Sequence, residues 1–186
     1  VRKLPDGAEV ELDTAGDSDR MTIRAGRSVF TLPTLPVEDF PAVSRDDLSV
    51  AFTLSATDAK MLIDRTRFAI STEETRYYLN GIYLHAGQSA DVQVLRAVAT
   101  DGHRLARVEM PLPVGAESMP SVIAPRKAVV ELRKLIDEID GDIDVSLSET
   151  KLCFTFADSV LTTKLIDGTF PDYERVIPTE NDKILH

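Results

Sequence analysis

The stretch Leu152-Cys153-Phe154-Thr155-Phe156-Ala157-Asp158-Ser159-Val160-Leu161-Thr162-Thr163 reads as two short strands around a small turn. A similar stretch lies 131 residues earlier, Met21-Thr22-Ile23-Arg24-Ala25-Gly26-Arg27-Ser28-Val29-Phe30-Thr31-Leu32, with Ser28-Val29 in the place of Ser159-Val160. Each copy leads into an acidic loop carrying Phe-Pro, at Phe40-Pro41 and Phe170-Pro171. Alternating apolar and β-branched residues are the strand signal. A self-similarity of about 130 residues is the size of a domain, not of a solenoid repeat. The chain is therefore expected to hold the end of one domain (1–45), one complete copy (46–178) and the start of a third (179–186).

Within the complete copy a weaker symmetry repeats one order of elements. A strand at 48–54 precedes a helix at 57–71 and strands near 76–85, 92–100 and 103–110. A strand at 121–124 then precedes a helix at 125–139 and strands at 143–148, 151–156 and 160–166. The pattern predicts an α+β fold of two β-α-β-β-β units side by side, with largely antiparallel sheets. Ser55 or Thr57 can cap the first helix, with Asp58 in its first turn. Pro125 can occupy the first turn of the second, where its missing N–H costs nothing. Val129, Leu132, Ile136 and Ile139 form that helix's apolar stripe.

The composition bounds the function. At 186 residues and 43% apolar, the chain can bury a real core. Its one cysteine, Cys153, reads as a buried thiol, which excludes an internal disulfide framework and suits a reducing cytoplasm. The net charge of −10 argues against a nucleic-acid binder unless cations are segregated onto one face. The second helix shows such segregation. Arg126, Lys127, Arg133 and Lys134 face a single Glu131, and a spacing of seven puts 126 with 133 and 127 with 134. Such a face would touch phosphates without reading sequence. Tyr77 and Tyr78 are the nearest candidates for base stacking, although in a strand one of them faces the core.

An enzyme is the first rival. Asp101-Gly102-His103-Arg104 sets an acid near a histidine, but no paired nucleophile, no metal-ligand spacing and no Gly-rich phosphate loop accompany it. Asp101-Gly102 reads better as a tight hairpin turn. No catalytic residue, metal or cofactor is expected. The second rival is a protein-interaction module that shares the fold but not the phosphate-facing basic helix.

Three motifs settle the resemblance: Arg76-Tyr77-Tyr78-Leu79-Asn80-Gly81, Ala99-Thr100-Asp101-Gly102-His103-Arg104-Leu105-Ala106 and Asp167-Gly168-Thr169-Phe170-Pro171-Asp172-Tyr173-Glu174-Arg175-Val176-Ile177-Pro178. With Pro125-Arg126-Lys127 between them, the chain resembles the bacterial DNA polymerase III beta subunit, the replicative sliding clamp. The resemblance implies a DNA clamp fold whose subunits pair as homodimer rings around double-stranded DNA, sheets outside and helices inside. It implies no intrinsic activity, but an accessory role in the polymerase holoenzyme. It further implies partners (the polymerase III alpha subunit, the clamp loader, other polymerases and repair proteins) that dock short peptides ending in Leu-Phe-like residues. On this sequence the matching pocket residues are Leu79, Thr100, Gly102, His103, Arg104, Leu105, Pro171, Arg175 and Val176. In that family the other pocket wall belongs to the third domain, so affinity in this chain should be reduced. Glu73 and Glu74 stand in a loop that touches DNA through neutral residues in some members, which argues against a DNA role for that loop here.

Overall fold

The computed structural model describes residues 6–14, 19–40 and 44–178. The chain forms two compact units, Val1–Val43 and Ser44–His186. The expected start of a third domain, 179–186, and Pro41 of the first Phe-Pro pair lie outside the described residues.

In the first unit β1 (Glu11–Asp13), β2 (Arg20–Ala25) and β3 (Ser28–Pro33) make a three-stranded antiparallel sheet in that order. The β2–β3 register ends at Ala25↔Ser28, so Gly26 and Arg27 are the whole turn. In the second unit β10 (Lys151–Phe156) and β11 (Ser159–Lys164) close the same way at Phe156↔Ser159, around Ala157 and Asp158. Gly26 has φ +57° and Ala157, 131 positions on, has φ +45°. A positive φ at the first turn position twists the backbone to match the strands' own twist. The repeat read from side chains is thus a repeat of backbone geometry.

The second unit contains β4 (Val50–Ser55), α1 (Ala56–Asp64), β5 (Gly81–Ser89), β6 (Val92–Thr100), β7 (Leu105–Pro111), β8 (Val122–Pro125), α2 (Arg126–Leu135), β9 (Asp142–Leu147), β10 and β11. Two β-α-β-β-β units are present, but they are interlocked rather than side by side. One sheet runs β7-β6-β5-β8 and the other β11-β10-β9-β4. Each unit's first strand has crossed to the edge of the other unit's sheet, β4 on β9 (Val50↔Leu147) and β8 on β5 (Gly81↔Pro125). α1 and α2 close one core, which includes Ile82, Leu95, Ile136, Ile143, Leu147 and Leu152, all nearly inaccessible.

Five local expectations need correction. The helix expected over 57–71 stops at Asp64, because the chain turns into a 3-10 segment, Arg67–Ala69. The buried Thr66 hydroxyl closes the end by donating to Leu62 O at 2.6 Å. The strand expected from Arg76 is a 3-10 segment, Glu74–Leu79; Arg76 bonds back to Glu73, and Asn80 N donates to Tyr77 O. Tyr77 is therefore exposed and Tyr78 half-buried outside any strand. Asp101-Gly102 is half of a four-residue loop, since the ladder closes at Thr100↔Leu105. Pro125 is the residue preceding α2, not its first turn, and α2 ends at Leu135, where Lys60 Nζ donates to the carbonyls of Asp137 and Ile139. Ser55 caps α1 as expected, accepting from Asp58 N at 3.0 Å.

Candidate functional site

On β6, Leu95, Ala97 and Ala99 enter the main core, while Val98 belongs to a second, smaller one. Strand alternation puts Arg96 and Thr100 on the Val98 side. That outer face carries aligned rows: His85↔Arg96↔Glu109, then Tyr83↔Val98↔Arg107, then Thr100↔Leu105. The second core joins Leu79, Val98, Ile123, Phe170 and Tyr173, so the segment after β11 lies over this face. Phe170 stacks on Tyr83 with centroids 4.7 Å apart.

At the Thr100↔Leu105 end this arrangement leaves a cleft of about 590 Å3. Its floor is Leu79, Thr100 and Leu105; Gly102, His103 and Arg104 form one side and Pro171, Tyr173 and Val176 the other. Eight of the nine residues expected in the pocket line it. Arg175 does not, for its side chain is 84% exposed and is paired with Asp172 at 2.7 Å. Sequence reading missed Asp172, Tyr173, Ile177 and Pro178, which also line it. Their signal was the apolar residues interspersed through an otherwise polar loop, Phe170 to Pro178.

The loop on the near side is held rigid by its own side chains. The Asp101 carboxylate accepts the backbone N–H groups of His103 and Arg104 at 2.9 and 3.0 Å, and these bonds hold its pKa below the usual carboxylate value. Thr100 Oγ1 accepts from Gly102 N and donates to Arg104 O. Gly102 has φ +87°, and a Cβ there would lie 2.6 Å from Arg76 Nη1. Arg76 is gripped by Glu73 at 2.7 and 2.8 Å and reaches Asp101 O. Glu73 thus helps to position the cleft loop.

At the far end of the rows, Glu109 accepts from Ser89 Oγ at 2.7 Å and from Arg96 Nε at 2.8 Å. The Ser89 bond, and then the Arg96 bond, lower its pKa against the opposing effect of burial. A carboxylate with a depressed folded pKa contributes stability above its ordinary value and loses it as pH falls through the depressed one. Melting temperature should therefore decline below about pH 4.5, and Glu109→Gln should flatten part of that decline while lowering stability at neutral pH. Parallel wild-type and variant melting curves over pH 3–7 check this; identical slopes would refute it.

The basic helix face is divided. Arg126 and Lys127 are exposed at the start of α2 and make no ion pair among the described residues. Lys134 pairs with Glu131 at 3.0 Å. Arg133 is mostly covered and engages two carboxylates, Asp64 of α1 at 2.9 Å and Asp137 at 2.7 Å. Its charge is locally balanced. Tyr77 packs edge-on to Tyr78. Among the described residues no cluster of three or more His, Cys, Asp and Glu could hold a metal. None of their helices is long and apolar enough to cross a membrane.

Residues 53–172, more than half of the chain, match the model of the DNA polymerase III beta subunit central domain, and residues 1–44 match that of its N-terminal domain. The chain belongs to the DNA polymerase III beta subunit family. The beta sliding clamp of Caulobacter vibrioides (strain NA1000 / CB15N) is 55% identical over 185 residues, covering 100% of this chain and 50% of that relative. That of Escherichia coli (strain K12) is 42% identical, covering 99% and 48%. The solved sliding clamp from Bartonella birtlesii bound to griselimycin superposes with a TM-score of 0.87 at 56% identity, over 97% of this chain and 48% of that one. The chain spans about half the length of the curated relatives it matches. The clamp fold expected from the sequence is the fold observed, two helices beneath antiparallel sheets.

Proposed function

We propose that this chain is the peptide-docking and DNA-facing part of a processivity clamp, a homodimer ring in the cytoplasm that encircles double-stranded DNA and holds polymerase III on it. One observation carries this reading: the apolar cleft gathers, from Leu79 to Val176, eight of the nine pocket residues that the family resemblance implies. Leu79, Leu105, Pro171 and Val176 would take the leucine and aromatic anchors of partner peptides, with Arg104 and Arg175 at the entrance. The alpha subunit, clamp loader, other polymerases and repair factors would compete for it. Residues 1–45, 46–178 and 179–186 take their places as parts of domains one, two and three. No intrinsic catalysis is assigned.

DNA contact would rest chiefly on Arg126 and Lys127. Arg133 and Lys134 contribute less, because neighbouring carboxylates already balance them. Such contacts are weak and salt-sensitive, so persistence must come from ring closure. The test uses the clamp loader to load the full-length subunit onto a nicked circular plasmid, follows retention at high salt and then cuts the circle. Retention on the circle and release from the linear form support the clamp. Stripping by salt alone supports an interaction module that does not encircle DNA. Arg126→Ala/Lys127→Ala should lower affinity for short linear DNA in dilute salt more than Arg133→Ala/Lys134→Ala does. Titration by fluorescence anisotropy decides between them; the reverse order would show that the carboxylates do not balance Arg133 and Lys134.

A further inference from the structure

Arg96 is a cation inside an otherwise apolar run of β6, and its side chain is only 9% exposed. Burial disfavours its charge, but the hydrogen bond with Glu109 helps keep its pKa above the ordinary arginine value. Three hydrogen bonds hold it. Nε donates to Glu109 Oε2 at 2.8 Å, Nη2 to Gln88 O at 2.6 Å and Nη1 to Glu174 Oε1 at 2.7 Å. The first two lie on β7 and β5, so they fix the guanidinium to the sheet. Gly87 leaves it room, since a Cβ there would lie 3.2 Å from its Cζ.

The third group is different. Glu174 lies in the short 3-10 segment Tyr173–Val176, which forms the far side of the cleft. Beside it, the Tyr173 hydroxyl lies 2.9 Å from His85 Nε2. The segment rests on a second core of only five buried residues. Arg96–Glu174 and His85–Tyr173, with a further interaction between Arg96 and the Tyr173 hydroxyl, therefore fix its position along the sheet. Arg96, His85 and Glu174 are not among the cleft-lining residues.

We propose that Arg96, acting through Glu174, is a positioning residue for peptide docking: it holds the segment carrying Val176 in the conformation that receives the partner. The inference rests on the peptide-docking reading. A wall that is held in place binds without an ordering cost; a released wall binds only in the fraction of molecules where it is correctly placed. The loss should then fall on the association rate rather than on dissociation.

The test uses the full-length subunit, a short labelled peptide ending in leucine and phenylalanine, and stopped-flow kinetics. Glu174→Gln should weaken affinity about fivefold, with the association rate falling by the same factor and dissociation changing less than about twofold. Its melting temperature should barely move, since the Glu174 side chain is 59% exposed. Arg96→Lys keeps the charge but loses the fork, and should show the same kinetic defect. In the Arg96→Lys background, Glu174→Gln should cost little more, because both variants weaken the same strut, the amide oxygen keeping an acceptor but losing the charge. Undiminished affinity, an effect confined to dissociation, or full additivity of the two substitutions would each overturn the proposal. Val176→Asp separates the readings. If it binds peptide normally, docking in this cleft is itself wrong; if it alone loses binding, only the Arg96 strut is wrong.

Discussion

Val176→Asp is expected to weaken binding of a Leu-Phe-type peptide about a hundredfold while leaving the fold intact. Val176 is 68% exposed, so its replacement removes almost no contact on which folding depends. Surface substitutions of this kind usually stay within about 0.5 kcal/mol of the parent's stability. Binding changes the balance, because an apolar anchor seated against Pro171 and Leu105 would exclude water from position 176. A carboxylate there must be desolvated in the bound state, and the cation beside it on this wall, Arg175, is already paired with Asp172. A cost of about 3 kcal/mol corresponds to roughly a hundredfold in affinity. Val176→Ala separates charge from area: it loses only the buried methyls, about 1 kcal/mol or roughly fivefold. Anisotropy titrations of both variants, with thermal melts as controls, make the comparison. Equal affinities for Val176→Asp and the parent would place the peptide elsewhere.

The parts of this structure legible in the sequence are those set by local pattern. The strands at 92–100 and 151–156 fall where the alternation puts them, and Ser55 caps the helix it precedes. The exchange of β4 and β8 was not legible. Alternation tells which face of a strand is buried, but not which strand will lie beside it. Nor could helical spacing show that Arg133 meets Asp64, a residue 69 positions away on the other helix. The motif Arg76-Tyr77-Tyr78 looks like a strand because aromatic residues favour strands. An i, i+3 ion pair from Glu73 to Arg76 and the need to reach Asp101 O impose a tighter turn. The cleft was found through motif resemblance rather than periodicity, since loops have no period to read. Arg96 did leave a signal that pattern reading passed over. A charged residue in the buried run Val94 to Thr100 requires a partner for its guanidinium, and it finds Glu109 and Glu174.

Gly81→Ala should destabilise the second unit by about 3 kcal/mol, because it attacks the strand exchange itself. Gly81 opens β5 and faces β8, its register partner being Pro125. A Cβ on Gly81 would lie 2.2 Å from Ala124 O, an atom of the β8 backbone. A flexible side chain could rotate away from such a contact; a carbonyl in a hydrogen-bonded ladder cannot. Relief requires β8 to move outward. That movement would disturb the bond from Arg126 N to Asn80 O, which ties the start of α2 to the same edge. Because β8 carries α2 behind it, the displacement reaches Val129 and Leu132 in the main core. For a body of this size, about 3 kcal/mol corresponds to a fall of roughly 6–12 °C in melting temperature. The equivalent crossing strand β4 offers the control. Ala51 faces Ser146 on β9 with a Cβ already present, so Ala51→Ser adds a single exposed hydroxyl and should leave the melt within about 0.5 kcal/mol of the parent. If Gly81→Ala melts with the parent, β8 is not held against β5 at this register, and the interlocked arrangement of the two units is wrong at this edge.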